Sequence, residues 1–192
     1  GPVAANDDWR ANEAEILATG LAPRHDRESA IVRTLQPGSY TAVVRGFSGT
    51  TGVALVEIYD VEQSSTAGLA NISTRGFVQT GENVMIGGVI VQGGPPMNLL
   101  VRARGPSLSN DGVPTVLLNP VLELFNAQGS VIASNDDWRQ SQEAQIRNTG
   151  LAPSVDSESA LLQSLAPGSY TAILRGSNST TGNAIFEVFT VN

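Results

Sequence analysis

Residues 37–59 read PGSYTAVVRGFSGTTGVALVEIY, and residues 167–189 read PGSYTAILRGSNSTTGNAIFEVF. In both stretches, two runs of β-branched and aromatic residues flank a short loop that contains glycine or serine, which is typical of a β-hairpin. We therefore predict strands at Ser39–Arg45 and Val53–Tyr59, with a turn at the preceding Pro-Gly pair, and the same arrangement in the second stretch.

Side chains along a strand alternate between the two faces of a sheet, so every second residue shares a face. In residues 37–59, apolar residues occupy one such set of alternate positions in each run. We predict that this set faces a hydrophobic core and consists of Tyr40, Ala42, Val44, Ala54, Val56 and Ile58.

The two stretches belong to a longer internal repeat. NDDWR occurs at residues 6–10 and again at 135–139, and more than half of the positions from Asn6 to Val61 are identical in the second copy. A period of about 130 residues is too long for a solenoid repeat and matches a whole domain. The segment between the copies, roughly residues 69–129, occurs once.

We name residues 69–129 the front half, residues 1–62 the first back half and residues 130–192 the second back half. This order predicts a complete domain at residues 63–192, preceded by a partial domain at residues 1–62 that another segment or chain completes. An incomplete sandwich would expose an apolar face and unpaired strand edges.

The remaining segments are mostly short β-rich runs separated by Gly, Pro and Asn. The front half contains such runs at residues 83–92, 99–104, 116–118 and 121–125, and Gly87 and Gly88 within the first run suggest a bulge or a bend. A helix of two or three turns is predicted from Asp8 to a stop at Gly20, and again at Trp138–Asn148. The fold class is therefore all-β, an antiparallel β-sandwich of jelly-roll type with one short helix per repeat.

Composition excludes several classes of function. The 192 residues carry a net charge of −7 and include no cysteine, no lysine and one histidine, His25. Thiol and Schiff-base chemistry are excluded, a histidine-based catalytic site is disfavoured, and no G-x-S-x-G nucleophile motif occurs. Nucleic-acid and anionic-membrane surfaces need clustered cations, so neither partner is expected. We predict that the protein is not an enzyme.

No apolar run reaches the roughly 18 residues of a membrane-spanning helix. The first residues, GPVAANDDWR, lack the basic-then-apolar pattern of a signal peptide. We expect a globular protein without membrane insertion, whose export signal, if it has one, does not lie in these residues.

The second back half resembles a known family. The sequence VLELFNAQGSVIASNDDW (residues 121–138) is followed by DSESALLQSLAPGSYTAILRG (156–176) and TTGNAIFEVF (180–189). This order resembles bacterial pre-peptidase C-terminal domains and the related collagen-binding modules of secreted proteases. Residues 3–61 resemble the same family as a truncated twin. NISTRG (71–76) and RARGPSL (102–108) resemble the front of a repeat found in very large secreted proteins of environmental bacteria.

The resemblance implies an extracellular, non-catalytic β-sandwich that is appended to a larger protein and often binds calcium. Calcium takes six to eight oxygen ligands, which a cluster of acidic and amide side chains can begin to supply. The alternative interpretation is that the aspartates cap the short helix and the later acidic residues are solvated. The candidate ligands are Asn6, Asp7, Asp8, Asp26 and Glu28, with their counterparts Asn135, Asp136, Asp137, Asp156 and Glu158.

Trp9 and Trp138 directly follow the acidic turns. An exposed tryptophan would stack on a sugar ring, whereas a buried one would fill the gap between helix and sheet, and the sequence favours the buried anchor. Arg45, Arg175, Arg102 and Arg104 are expected to form ion pairs with Glu57, Glu187 and the aspartates rather than to bind a ligand.

These observations predict a structural or adhesive repeat module of a bacterial cell surface or secreted protein, stabilised by calcium. The alternative is a carbohydrate- or matrix-binding accessory domain of a larger secreted enzyme. The partial domain further predicts self-association by strand or half-domain complementation. Either residues 69–129 complete residues 1–62 in cis and leave 131–192 to a neighbour, or residues 1–62 dock on the front half of another molecule, and both arrangements grow head-to-tail into a fibre or surface layer. In a third alternative, a covalent neighbour repeat completes residues 1–62.

Overall fold

A computed structural model describes residues 1–61 and 68–191 of the chain. The chain divides into two compact units, Gly1–Gly68 and Leu69–Asn192. The second unit contains the front half and the second back half.

The second unit is a sandwich of two four-stranded antiparallel sheets. One sheet has the order β1-β8-β3-β6 and the other has the order β2-β7-β4-β5, which is the arrangement of an eight-stranded jelly roll. The predicted all-β jelly-roll sandwich is therefore confirmed. The strands are β1 (Asn71–Val78), β2 (Met85–Val91), β3 (Met97–Arg104), β4 (Pro120–Phe125), β5 (Val131–Asn135), β6 (Ser159–Leu165), β7 (Gly168–Gly176) and β8 (Gly182–Thr190).

Every strand pairing in this sandwich joins the front half to the second back half. Strands β1 to β4 belong to the front half, and strands β5 to β8 belong to the back half. The six pairings are β1 with β8, β2 with β7, β3 with β6 and β8, and β4 with β5 and β7. Each half therefore obtains all the strand partners seen in the described sheets from the other half.

The hairpin prediction for residues 167–189 is wrong. Strands β7 and β8 lie in different sheets, and the loop between them, including a 3₁₀ turn at Ser177–Ser179, crosses from one sheet to the other. The strands and their inward face were predicted correctly, because the counterparts of the six predicted core residues all lie in or against the hydrophobic core: Tyr170, Ala172, Leu174, Ala184, Phe186 and Val188.

Gly87 and Gly88 do not form a bulge, which corrects the expectation from sequence. Strand β2 pairs with β7 in regular register through both residues. A Cβ atom on Gly87 would lie 2.2 Å from Cε1 of Phe186, on β8 of the opposite sheet. A side chain at position 87 would therefore force the Phe186 ring to move, because the ring occupies the space between the sheets.

Each back half carries one helix after its NDDW turn. In the first back half, a 3₁₀ turn at Trp9–Asn12 leads into α1 (Glu13–Ala18), and in the second, a 3₁₀ turn at Trp138–Gln140 precedes α2 (Glu143–Asn148). The helices are shorter than predicted. Gly20 and Gly150 follow them with φ values of 73° and 72°, which confirms the predicted glycine stop.

The first unit has no strand among its described residues, although strands were predicted at Ser39–Arg45 and Val53–Tyr59. These segments have no regular secondary structure and are exposed, and Val53 and Leu55 are 92% and 81% accessible to solvent. The equivalent strands of the second unit pair only with the front half. A back half without front-half strands lacks the neighbouring strands that form the sheet ladders, so these segments form no strand among the described residues.

Candidate functional site: the NDDW turns

The NDDW turn of the second unit is fixed to the start of β6 by hydrogen bonds. The Asn135 side chain donates from Nδ2 to the Asp137 carbonyl oxygen at 2.9 Å, and its Oδ1 accepts from the Ala160 amide at 2.9 Å. The Trp138 amide donates to the Glu158 carbonyl oxygen at 2.8 Å. The side-chain amide of Asn135 therefore holds two chain segments together, and both of its polar atoms are hydrogen-bonded to the backbone.

The first unit repeats this arrangement with its own residues. Asn6 donates from Nδ2 to the Asp8 carbonyl oxygen at 3.1 Å, and its Oδ1 accepts from the Ala30 amide at 2.9 Å. The Trp9 amide donates to the Glu28 carbonyl oxygen at 2.9 Å. The turn is consequently a local motif that forms with or without the front half.

Three of the six aspartates in the candidate calcium sites contact an arginine or glutamine side chain. Asp156 Oδ1 lies 2.6 Å from Nε of Arg139, and Asp26 Oδ1 lies 2.6 Å from Nε of Arg10. Asp137 accepts a hydrogen bond of 2.8 Å from Nε2 of Gln140. These contacts show what the later aspartates do: each one neutralises the arginine that follows the tryptophan.

The alternative interpretation, in which aspartates cap the short helices, also disagrees with the hydrogen bonds of the structure. Asp8 and Asp137 occupy the residue before their 3₁₀ turns, but neither side chain makes a capping hydrogen bond. The Ser29 and Ser159 hydroxyls instead donate to the carbonyl oxygens of Asp7 and Asp136, at 2.6 and 2.7 Å. The turns are held by amide and hydroxyl side chains rather than by aspartate caps.

Glu158 serves a structural purpose that its sequence position did not reveal. The side chain is fully buried, and Oε1 accepts hydrogen bonds from the amides of Gly105 and Ser107, at 3.1 and 3.0 Å. Its carboxylate therefore anchors the turn that follows β3 in the front half. Glu28, its counterpart, is exposed and accepts from the His25 amide at 3.0 Å. The recurrence of ESA at residues 28–30 and 158–160 is the sequence signal that marks this glutamate.

Burial raises the pKa of the Asp136 carboxyl, and the neighbouring charge of Asp137 raises it further. Both causes disfavour the ionised form, which is the form that a calcium ion requires.

Two of the candidate calcium ligands have other partners in the second unit. The amide of Asn135 is used by the backbone, and the carboxylate of Glu158 faces the front half. Among residues 1–61 and 68–191, no group of three or more acidic or histidine side chains could hold a metal ion. Calcium binding at these turns stays a prediction from the sequence.

Both tryptophans are buried, with 3% of Trp9 and 1% of Trp138 accessible to solvent. Trp138 packs with Leu100, Ile146 and Ala160 in a cluster between α2 and the sheet. Its ring is covered by the guanidinium of Arg139 at 5.0 Å and of Arg147 at 4.9 Å. Neither ring offers an open face to a sugar, and both act as the buried anchors that the sequence favoured.

The arginines of the sandwich form ion pairs with carboxylates, as predicted, but the Arg102 pair is largely buried and Arg175 has a partner, Glu123, that was not predicted. Nε of Arg102 on β3 lies 2.6 Å from Oε2 of Glu187 on β8, and both side chains are mostly buried. Arg175 on β7 forms an ion pair with Glu123 on β4. Both pairs join the front half to the back half.

No protein-family model matches the chain, and no curated protein is found as a relative. No helix in the described parts of the chain is both long and apolar enough to span a membrane.

Proposed function

We propose that this chain is a non-catalytic repeat module with a structural or adhesive function in an extracellular or cell-surface bacterial protein. The observation that carries the proposal is the relation between the repeat and the sandwich. The chain contains two copies of the back half of a jelly roll. In the second unit, the back half obtains every described strand partner from the front half. Modules that pair a front half with a back half in this way are suited to building a larger assembly.

The use of the polar side chains supports the non-catalytic part of the proposal. Glu158, Glu187 and Asn135 are buried polar side chains of the second unit, and each one makes a contact that joins strands or turns. A catalytic carboxylate or amide is held beside a cleft where substrate reaches it, which is not the position of these three. The extracellular location rests on the resemblance to modules of secreted proteins.

A glycan array probed with the labelled chain tests this proposal against a carbohydrate-binding accessory domain. We expect no saturable glycan binding, and we expect no turnover of a panel of glycosidase and protease substrates. Antibody labelling of intact cells of the producing bacterium tests the location, and we expect the label before lysis. Saturable glycan binding, or label only after lysis, would contradict the proposal.

A further inference from the structure

We propose that the first back half is a docking surface for a second front half, meaning a four-stranded segment of the same kind as residues 69–129 and additional to it. The inference rests on the repeat-module function proposed above and names the partner that the first back half takes. The second unit supplies the template, because it shows a front half seated on the equivalent residues.

The core face of the first back half is open at the positions that the front half covers in the second unit. Ile31 is 52% accessible, whereas its counterpart Leu161 is 2% accessible. Val44 is 60% accessible, whereas its counterpart Leu174 is fully buried. Leu35 and Val56 differ in the same direction from Leu165 and Phe186. The first back half has therefore kept apolar residues at positions where only a front half would bury them.

The space around Gly52 differs from the space around its counterpart Gly182 in the way that a missing front half predicts. A Cβ atom on its counterpart Gly182 would lie 2.5 Å from the Leu117 amide nitrogen and 2.6 Å from the Val116 carbonyl carbon, so the front half requires glycine there. A Cβ atom on Gly52 would have no neighbour within 4 Å. Neither glycine has a left-handed backbone, so the local conformation does not require glycine at position 52. A docked front half would require it.

The charged residues of the first back half match the same partner. Glu158 accepts hydrogen bonds from the amides of Gly105 and Ser107 in the front half, and Glu28 is retained at its position. Glu187 pairs with Arg102, and Glu57 is retained at the position of Glu187. A segment that fits the first back half therefore presents two backbone amides to Glu28 and a cation to Glu57.

Arg45 is a third charged residue of the first back half that matches the same partner, and its charge is positive. Its counterpart Arg175 pairs with Glu123 on β4, so the partner presents an anion at this point. The partner thus has the charge pattern of residues 102–123 in this chain, with a cation, two free amides and an anion in that order.

The front half at residues 69–129 is already engaged by the second back half. If it moved to the first back half, it would abandon the six strand pairings of the second unit. The occupant is therefore a front half other than residues 69–129.

The test is a fusion that places a second copy of residues 69–129 directly before Gly1. The repeat alignment puts Gly1 at the position of Ser130, so this junction reproduces the link between the front half and the second back half. We expect hydrogen exchange at the amides of residues 30–61 to slow by about 1,000-fold or more, as in a folded domain. Exchange in the second unit reports whether the fusion as a whole is folded.

Gly52→Ala is the matched variant. In the fusion it is expected to abolish the new protection, because its Cβ would collide with the docked backbone, whereas in the 192-residue chain it is expected to change nothing. Unchanged fast exchange at residues 30–61 of a fusion whose second unit is protected would overturn the inference. So would protection that survives Gly52→Ala.

The 192-residue chain alone, measured across a wide range of concentrations, separates this inference from exchange between copies. We expect residues 30–61 to stay unprotected at every concentration, and protection that rises with concentration would overturn the proposed occupant. Glycan binding by the chain would contradict the module function without altering the exchange result, so the two failures are distinguishable.

Discussion

Arg102 on β3 and Glu187 on β8 form a largely buried ion pair on the outer face of their sheet, on the side of the Trp138 cluster, with 2.6 Å between Nε and Oε2 and with 13% and 9% of the side chains accessible. The pair joins the front half to the back half at Arg102↔Glu187 in the strand register. Removal of one partner would leave a largely buried charge without its counterion, which is more costly than the loss of an exposed pair.

We expect Glu187→Gln to lower the free energy of unfolding of the second unit by about 3 kcal/mol. Denaturant unfolding followed by Trp138 fluorescence in a Trp9→Phe background measures the change. Glu57→Gln is the matched control, because Glu57 holds the equivalent position in the first unit and contacts only the exposed hydroxyl of Tyr59 in the described contacts. Equal effects of the two substitutions would contradict a structural role for the buried pair.

The space beside Gly87 gives a second prediction. Gly87→Ala places a Cβ atom 2.2 Å from the Phe186 ring, and we expect the overpacked core to lose about 1–3 kcal/mol of stability. Phe186→Val removes the ring and should restore part of this loss in the double variant. Gly88→Ala is the control, since a Cβ atom there has no neighbour within 4 Å. Urea unfolding midpoints decide the outcome, and a Gly88→Ala variant as unstable as Gly87→Ala would refute the steric explanation.

The raised pKa of Asp136 predicts how its contribution to stability varies with pH. Because burial raises the folded-state pKa above the unfolded value, the folded state binds the proton more tightly. The contribution of Asp136 is therefore favourable at acid pH and is lost as pH rises through its folded-state pKa. We expect Asp136→Asn to stabilise the second unit at pH 7 relative to the native protein, with the gain disappearing at acid pH.

Thermal melting between acid and neutral pH measures this effect, with Asp7→Asn as the control at the exposed equivalent position. A gain from Asp136→Asn that grows toward acid pH would have the opposite sign to the one that burial produces.

Calcium provides a test in which the sequence and the geometry disagree. The resemblance predicts that calcium raises the melting midpoint, because a metal bound only by the folded state stabilises it. The pairing of Asp156 with Arg139 and of Glu158 with the front half predicts no shift. Melting with calcium and with a chelator decides between them. A calcium-dependent rise that is lost in an Asp136→Ala and Asp137→Ala double variant would establish the site and show that these contacts rearrange.

The sequence predicted the layers of the fold more successfully than its connections. Alternation of apolar residues identifies which side of a strand faces the core, and the core positions of β7 and β8 follow it. The partner of a strand depends on residues far away in the chain, and a glycine-containing loop of hairpin length does not reveal that it crosses between sheets. For this reason the hairpin at residues 167–189 was predicted where a crossover exists.

The candidate site shows the same limit at the level of side chains. Repetition of Asn6 and Asn135 correctly marked two similar turns, but the acidic residues around them were grouped because they are near in sequence. In the fold, Glu158 points toward Gly105 and Ser107 on a loop about 50 residues away. Long-range contacts of this kind decide whether a carboxylate is a ligand or an anchor, and a single sequence does not contain them.

The pairing of β1 with β8 determines how the second unit responds to tension. Asn71, at the start of β1, pairs with Phe189 near the end of β8, so both ends of the unit leave from the same end of one ladder. Force applied through these ends separates the residue pairs of β1 and β8 one after another, starting at Asn71↔Phe189. It does not act on all of these pairs at once in shear. Strand β1 lies at the edge of its sheet, and both β1 and β8 belong to that sheet and not to the sheet of β2, β7, β4 and β5. We therefore expect this unit to yield at low force by peeling off one strand, which makes it an extensible element rather than a stiff one.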